Sequence, residues 1–128
     1  MLRFFNSSKI AAPQAQYTMG CEIPAGARTV VLSGQIGQKA DGTVPEDVVA
    51  QAEAAWDNIA ALLAEAGMGM GDIVMTRTYV TKPENYAKVS AVRNARLGSH
   101  KPTSTGLCIL ALARPQFLVE VEVTAAKG

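Results

Sequence analysis

Residues 101–125 read KPTSTGLCILALARPQFLVEVEVTA, and this stretch decides the fold that the sequence predicts. Two apolar, β-rich runs are separated by Ala-Arg-Pro-Gln, a pattern that predicts a pair of strands joined by a short connection broken at the proline. In the second run, residues 117, 119, 121, 123 and 125 point one way and the residues between them point the other, because side chains alternate across a strand. Glu120 and Glu122 therefore share one face of that strand.

The rest of the chain predicts more strands and two helices around this pair. Strands are expected at residues 3–6, 15–23, 29–36 and 73–81, from their β-branched content or alternation. Helices are expected over residues 46–66 and 81–97, since a Thr-x-x-Glu capping pattern opens each one and a glycine follows each. The order predicts an α+β fold, a mixed β-sheet with two helices on one face.

Length, charge and composition limit the class of protein. A chain of 128 residues with 48% hydrophobic content is expected to form one domain, residues 1–128, with its own core. A net charge of +1 gives no basic surface of the kind that nucleic-acid binding requires. No apolar run is long enough for a signal peptide or a membrane span, so the expected location is the cytoplasm, with no membrane partner.

Three segments resemble the RidA (YjgF/YER057c/UK114) family of small imine deaminases. They are the stretch at 101–125, the glycine-containing strand VLSGQIG at 31–37, and GDIVMTRTYV at 71–80, which match the family in order and spacing. The resemblance implies a chorismate-mutase-like fold in which three sheets close into a homotrimeric barrel with small-molecule clefts between subunits. Helices on one side of a sheet leave its other face uncovered, and a largely aliphatic open face would itself predict an oligomer.

One departure from the family pattern concerns substrate binding. The resemblance implies that deaminating members hold the substrate carboxylate with the arginine of Pro-Ala-Arg-(Ser/Thr), where this chain has Ser104. A serine hydroxyl offers one hydrogen bond and no charge, so losing the pair would cost roughly a few kcal/mol of carboxylate binding. Three interpretations stay open: a substrate with a smaller or uncharged head group, an arginine recruited from elsewhere such as Arg28, Arg77 or Arg114, or a trimer that binds without turnover.

The resemblance also implies roles for residues on other elements. Glu120 matches the glutamate that positions or activates the hydrolytic water, and a carboxylate held in an interfacial cleft can act as a base near neutral pH. Tyr17 matches a tyrosine at the mouth of the site, and Gly34 matches a glycine whose backbone contacts the ligand. From strand alternation alone, Glu120 would be an ordinary surface charge on an edge strand, which is also the interpretation kept for Glu122.

The remaining implied positions concern the strand at 101–108 and the second helix. Thr105 follows Ser104 and is expected to offer backbone donors to a ligand, Ser90 stands where many deaminating relatives have asparagine, and Gly106 is the counterpart of a cleft cysteine. No metal or organic cofactor is implied. The predicted function is hydrolysis of an imine or enamine, with a ligand-binding or chaperone-like homotrimer as the alternative, and the family's endoribonuclease label is less favoured because the chain lacks an aromatic, basic surface.

Overall fold

Seven strands and two helices make up the computed structural model, which describes all 128 residues. The helices are α1, Val48–Glu65, and α2, Tyr86–Leu97, and short 3-10 turns at Met70–Asp72 and Pro83–Asn85 lie between them. The strands are β1 Arg3–Phe5, β2 Gly20–Glu22, β3 Arg28–Val31, β4 Gln35–Ile36, β5 Ile73–Val80, β6 Thr103–Cys108 and β7 Val119–Lys127. No helix is both long enough and apolar enough to span a membrane.

The main sheet is mixed, in the order β3-β7-β5-β6, with β4 also pairing β7. Strand β7 runs antiparallel to β3 and β5, whereas β5 and β6 are parallel. The predicted α+β fold is therefore confirmed. The predicted pairing of the last two strands is wrong, because β5 lies between them: α2 acts as the crossover that a parallel connection needs, and it places β6 beside β5.

The core lies between the sheet and the two helices. The alternation predicted for the last strand is confirmed, since Val119, Val121, Val123 and Ala125 are buried and Glu120, Glu122 and Thr124 are not. Large side chains of α1 pack against this row. Burying each such side chain stabilises the fold by roughly 1.5–3 kcal/mol. Among the most deeply buried apolar residues of the two layers are Trp56, Ile59, Leu63, Val119, Val121 and Val123.

Two strands differ in extent from the prediction. The strand expected at 29–36 is broken into β3 and β4, because its register on β7 slips by one residue: Val31 pairs with Thr124, whereas Gln35 pairs with Val121. The strand expected at 15–23 forms only at Gly20–Glu22, which leaves Tyr17 in a loop.

The predicted helix caps are also wrong. Asp47, not Thr43, caps α1, where its carboxylate accepts from the backbone N–H of Ala50 at 2.9 Å. Thr43 instead bonds Asp41 in the preceding turn. The second helix begins after the 3-10 turn with no side-chain cap.

The face of the sheet turned away from the helices is not covered, and we call it the open face. It carries a mixture of polar and apolar side chains and is not largely aliphatic as predicted, because β7 and β5 each place charged side chains there. Val31 is 76% exposed on this face and Leu107 is 46% exposed. By ladder register, the residues of the open face include Val31, Ile36, Met75, Arg77, Tyr79, Thr103, Thr105, Leu107, Glu120, Glu122 and Thr124.

Candidate ligand-binding site

The sheet separates the predicted site residues into two groups. Directly paired residues of neighbouring strands point to the same side. Ser104 pairs with Thr76, and Thr76 pairs with the buried Val123, so Ser104 faces the helices. Glu120 pairs with Tyr79, three residues along β5, and so faces the opposite way. Within one protomer, Ser104 and Glu120 do not meet.

A cavity of about 250 Å³ lies on the helix side of β6, and we call it the helix-side cavity. It is enclosed by the loop that carries Tyr17, by β5 and β6, and by α2. Three predicted site residues line it, namely Tyr17, Ser90 and Ser104, whereas Gly34, Thr105 and Glu120 do not. Its full lining is Ala15, Tyr17, Thr78, Tyr86, Ser90, Arg93, Asn94, Ser104 and Gly106.

Backbone contacts and one glycine shape the cavity. The amide of Thr18 donates to the carbonyl of Pro102 at 3.2 Å, which fixes the Tyr17 loop to the start of β6. A Cβ at Gly106 would collide with the hydroxyl of Tyr86. The absence of a side chain at Gly106 therefore lets the Tyr86 ring of α2 lie against β6 and bring a phenol to the cavity wall.

Arg93 lines the cavity but was not among the predicted site residues. It is 7% exposed on α2. Its Nε donates to Thr76 Oγ1 at 3.2 Å, and its Nη1 donates to the carbonyl of Gln16 at 3.0 Å and to Asn94 Oδ1 at 3.1 Å. Burial lowers the pKa of Arg93, yet a guanidinium remains charged in proteins. The cavity therefore contains a fixed positive charge.

The arginines proposed from the sequence lie elsewhere. Arg28 Nη1 donates to the carbonyl of Ala66 at 3.2 Å, at the end of α1. Arg77 is exposed on the open face, and Arg114 is exposed in the connection between β6 and β7. A signal for Arg93 did exist, because Tyr86, Ser90 and Arg93 recur at spacings of four and three and so form one polar stripe along α2.

On the open face, Glu120 is partly buried and stands beside Gly34, where a Cβ would collide with the Glu120 carboxylate. The Glu120 carboxylate makes no hydrogen bond within the chain, whereas the Glu122 carboxylate accepts one from the Tyr79 hydroxyl at 2.6 Å. That hydrogen bond is the main cause of a raised pKa for Tyr79. No three His, Cys, Asp or Glu side chains lie close enough together to hold a metal ion.

Comparison with known proteins matches this architecture to one family. The family model described as Endoribonuclease L-PSP matches residues 8–127. A 2-iminobutanoate/2-iminopropanoate deaminase of Escherichia coli is 35% identical over 97 residues, covering 75% of this chain and 76% of the relative. A solved structure of the Rid family protein YyfB from Yersinia pestis is 28% identical, covers 98% of both chains and superposes with a TM-score of 0.85.

These matches define a small α+β protein of the chorismate-mutase-like kind. The chain belongs to the L-PSP endoribonuclease family, which includes RidA and YjgF. It is a member with serine at position 104.

Proposed function

We propose that this chain forms a homotrimer whose inter-subunit clefts bind a small molecule and hydrolyse its imine or enamine group. The similar E. coli protein is a deaminase of 2-iminobutanoate and 2-iminopropanoate, which supports the reaction class. The observation that carries the proposal is the division of the site, since Glu120 and Gly34 lie on the open face and Tyr17, Ser90 and Ser104 line the helix-side cavity. Both groups can contact one ligand only where two copies of the chain meet.

The chemistry assigned to Glu120 follows from its surroundings. Its carboxylate is not engaged by another side chain, so it is free to accept a proton from a water molecule. The water oxygen bonds to the imine carbon and the proton passes by way of Glu120 to the imine nitrogen. The hydroxyl proton of the resulting carbinolamine then passes to its amino group as the carbon–nitrogen bond breaks, which releases ammonia and leaves a carbonyl. Backbone N–H groups near Gly34 and Thr105 orient the substrate.

A homotrimer that binds a ligand without turnover is the second candidate. The observation that favours it is Ser104, which supplies no charge for a substrate carboxylate at the position where the family arginine is expected. In that case the cleft holds a small molecule, and Glu120 contributes to assembly on the open face rather than to proton transfer.

An ammonia-release assay on freshly generated 2-iminopropanoate and 2-aminoacrylate tests the proposal. We expect wild-type turnover and a loss of about 10²- to 10⁴-fold in Glu120→Ala, because a general base is removed. Glu122→Gln, on the same face of the same strand, is the matched control and should keep most of the activity. Sedimentation of the wild-type protein should give the mass of a trimer.

Two results would contradict this function. Equal turnover in wild type and Glu120→Ala would show that Glu120 is not the base. A protein that is monomeric at micromolar concentration would have no cleft between subunits. Turnover that appears only in Ser104→Arg would show that the native chain lacks a cation for these substrates and would favour the binding trimer.

A further inference from the structure

We propose that Arg93 and Thr78 make the helix-side cavity a binding site for a small monocarboxylate, in which α2 supplies the cation that position 104 lacks. Three buried side-chain polar atoms in the chain have no hydrogen-bond partner, and two of them, Arg93 Nη2 and Thr78 Oγ1, belong to residues that line this cavity. The third is Trp56 Nε1 in the core. Arg93 and Thr78 are each only 7% exposed.

The charge balance of the cavity indicates an anionic ligand. Every ion pair in the chain belongs to other arginines, with Arg3 paired to Glu22 and Arg96 paired to Glu53 and Asp57. None of the residues that line the cavity is an aspartate or a glutamate. A buried charge without a counter-ion destabilises a fold by several kcal/mol in general terms. A bound anion would offset that cost at Arg93.

The geometry indicates a carboxylate of few carbons. Nε and Nη1 of Arg93 are already occupied by Thr76, Gln16 and Asn94, so the guanidinium is fixed in direction and Nη2 is left to donate. The Thr78 hydroxyl supplies a second donor. A cavity of about 250 Å³ holds a molecule of several heavy atoms, since one water occupies about 30 Å³ of liquid.

This inference rests on the proposed function only for its claim that the cavity is part of the substrate cleft. Carboxylate binding is measured without turnover, by titrating the purified protein calorimetrically with pyruvate, a stable keto acid. Pyruvamide is the uncharged control ligand, and inorganic phosphate tests whether another anion serves as well. We expect pyruvate to bind more tightly than either.

Variants of α2 and β5 then test which residues bind the carboxylate. Arg93→Gln should weaken pyruvate binding at least about 30-fold, in the range seen when one partner of a buried charge pair is removed. Arg96→Gln removes an arginine of the same helix that pairs outside the cavity, and it should change the affinity less than about twofold. Thr78→Val should weaken binding about tenfold, because it preserves shape and removes the hydroxyl.

Each outcome bears on one proposal at a time. Pyruvate affinity that is unchanged in Arg93→Gln, or wild-type protein that does not prefer pyruvate to pyruvamide, overturns the carboxylate site. Pyruvate binding that depends on Arg93 without any ammonia release supports the site and overturns the deaminase. If Arg93→Gln does not fold, the preference for pyruvate over pyruvamide is compared between wild type and Thr78→Val, and an unchanged preference overturns the site.

Discussion

The helix-side cavity and the open face share one sheet but have opposite chemistry. The cavity contains Arg93 and no acid, and Nε and Nη1 of Arg93 donate to Thr76 of β5 and to Gln16 of the Tyr17 loop. The open face carries Glu120 and Glu122 in contact with solvent. Strand alternation causes this separation, because neighbouring positions on a strand cannot face the same side. The proposed anion site and the proposed base could therefore act on one molecule only where two copies of the chain meet.

The largest effect that we expect is restored activity in mixed trimers. This experiment tests whether Glu120 of one copy and Arg93 of its neighbour serve the same cleft. Glu120→Ala and Arg93→Gln should each be nearly inactive alone as homotrimers. When the two are unfolded together and refolded in equal amounts, about a quarter of the clefts receive a native Glu120 from one copy and a native Arg93 from its neighbour. Ammonia release should therefore recover to about a quarter of the wild-type rate.

The control for this experiment is a mixture made without refolding. It should stay inactive if subunits do not exchange. Failure to recover any activity after refolding, with trimers confirmed by mass, would mean that Glu120 and Arg93 do not serve the same cleft, and the two regions would then have separate functions.

A smaller effect is expected from two glycines, one for each region. Gly106→Ala should displace Tyr86 from the cavity wall and weaken pyruvate binding about tenfold, whereas Gly34→Ala should displace the Glu120 carboxylate and lower kcat about tenfold with little change in pyruvate affinity. Calorimetry and the ammonia assay separate the two effects. Gly69→Ala is the matched control, because a Cβ there meets nothing within 4 Å.

If both glycine variants changed binding and turnover alike, the division between the regions would be wrong. A loss of folding is excluded by comparing their thermal unfolding with that of Gly69→Ala.

The sequence predicted the parts of this architecture that depend on local pattern. The alternation of residues 117–125 predicted which side chains of β7 are buried, and Gly67 and Gly98 correctly marked the helix ends, where φ is +69° and +60°. The pairing of strands was not predictable in this way. The order of the strands on either side of β5 depends on how α2 packs against the central sheet.

Arg93 shows the same limit at the site. Helical spacing places Arg93 on the same side of α2 as Tyr86 and Ser90, but its role depends on contacts with residues far away in sequence, Gln16 and Thr76. A basic residue on a helix usually extends into solvent, so sequence alone favours that interpretation. Only the three-dimensional arrangement shows that the guanidinium is buried without an acid beside it.

The smallest effect that we expect concerns the open face, where Tyr79 and Glu122 are joined by a hydrogen bond. This bond raises the pKa of Tyr79 above its ordinary value of about 10, because ionisation would place a phenolate beside a carboxylate. Since the folded pKa is the higher one, the contribution of the pair to stability is complete below the unfolded pKa and is lost as the pH rises through the folded pKa.

Absorbance titration of the phenolate measures this effect. Glu122→Gln should move the titration of Tyr79 back toward about 10, because the carboxylate charge is gone. Tyr79→Phe, which removes the same signal, identifies the transition among the three tyrosines. A Glu122→Gln titration curve identical to the wild-type curve would show that the open face does not couple these groups, and the carboxylates there would be independent surface charges.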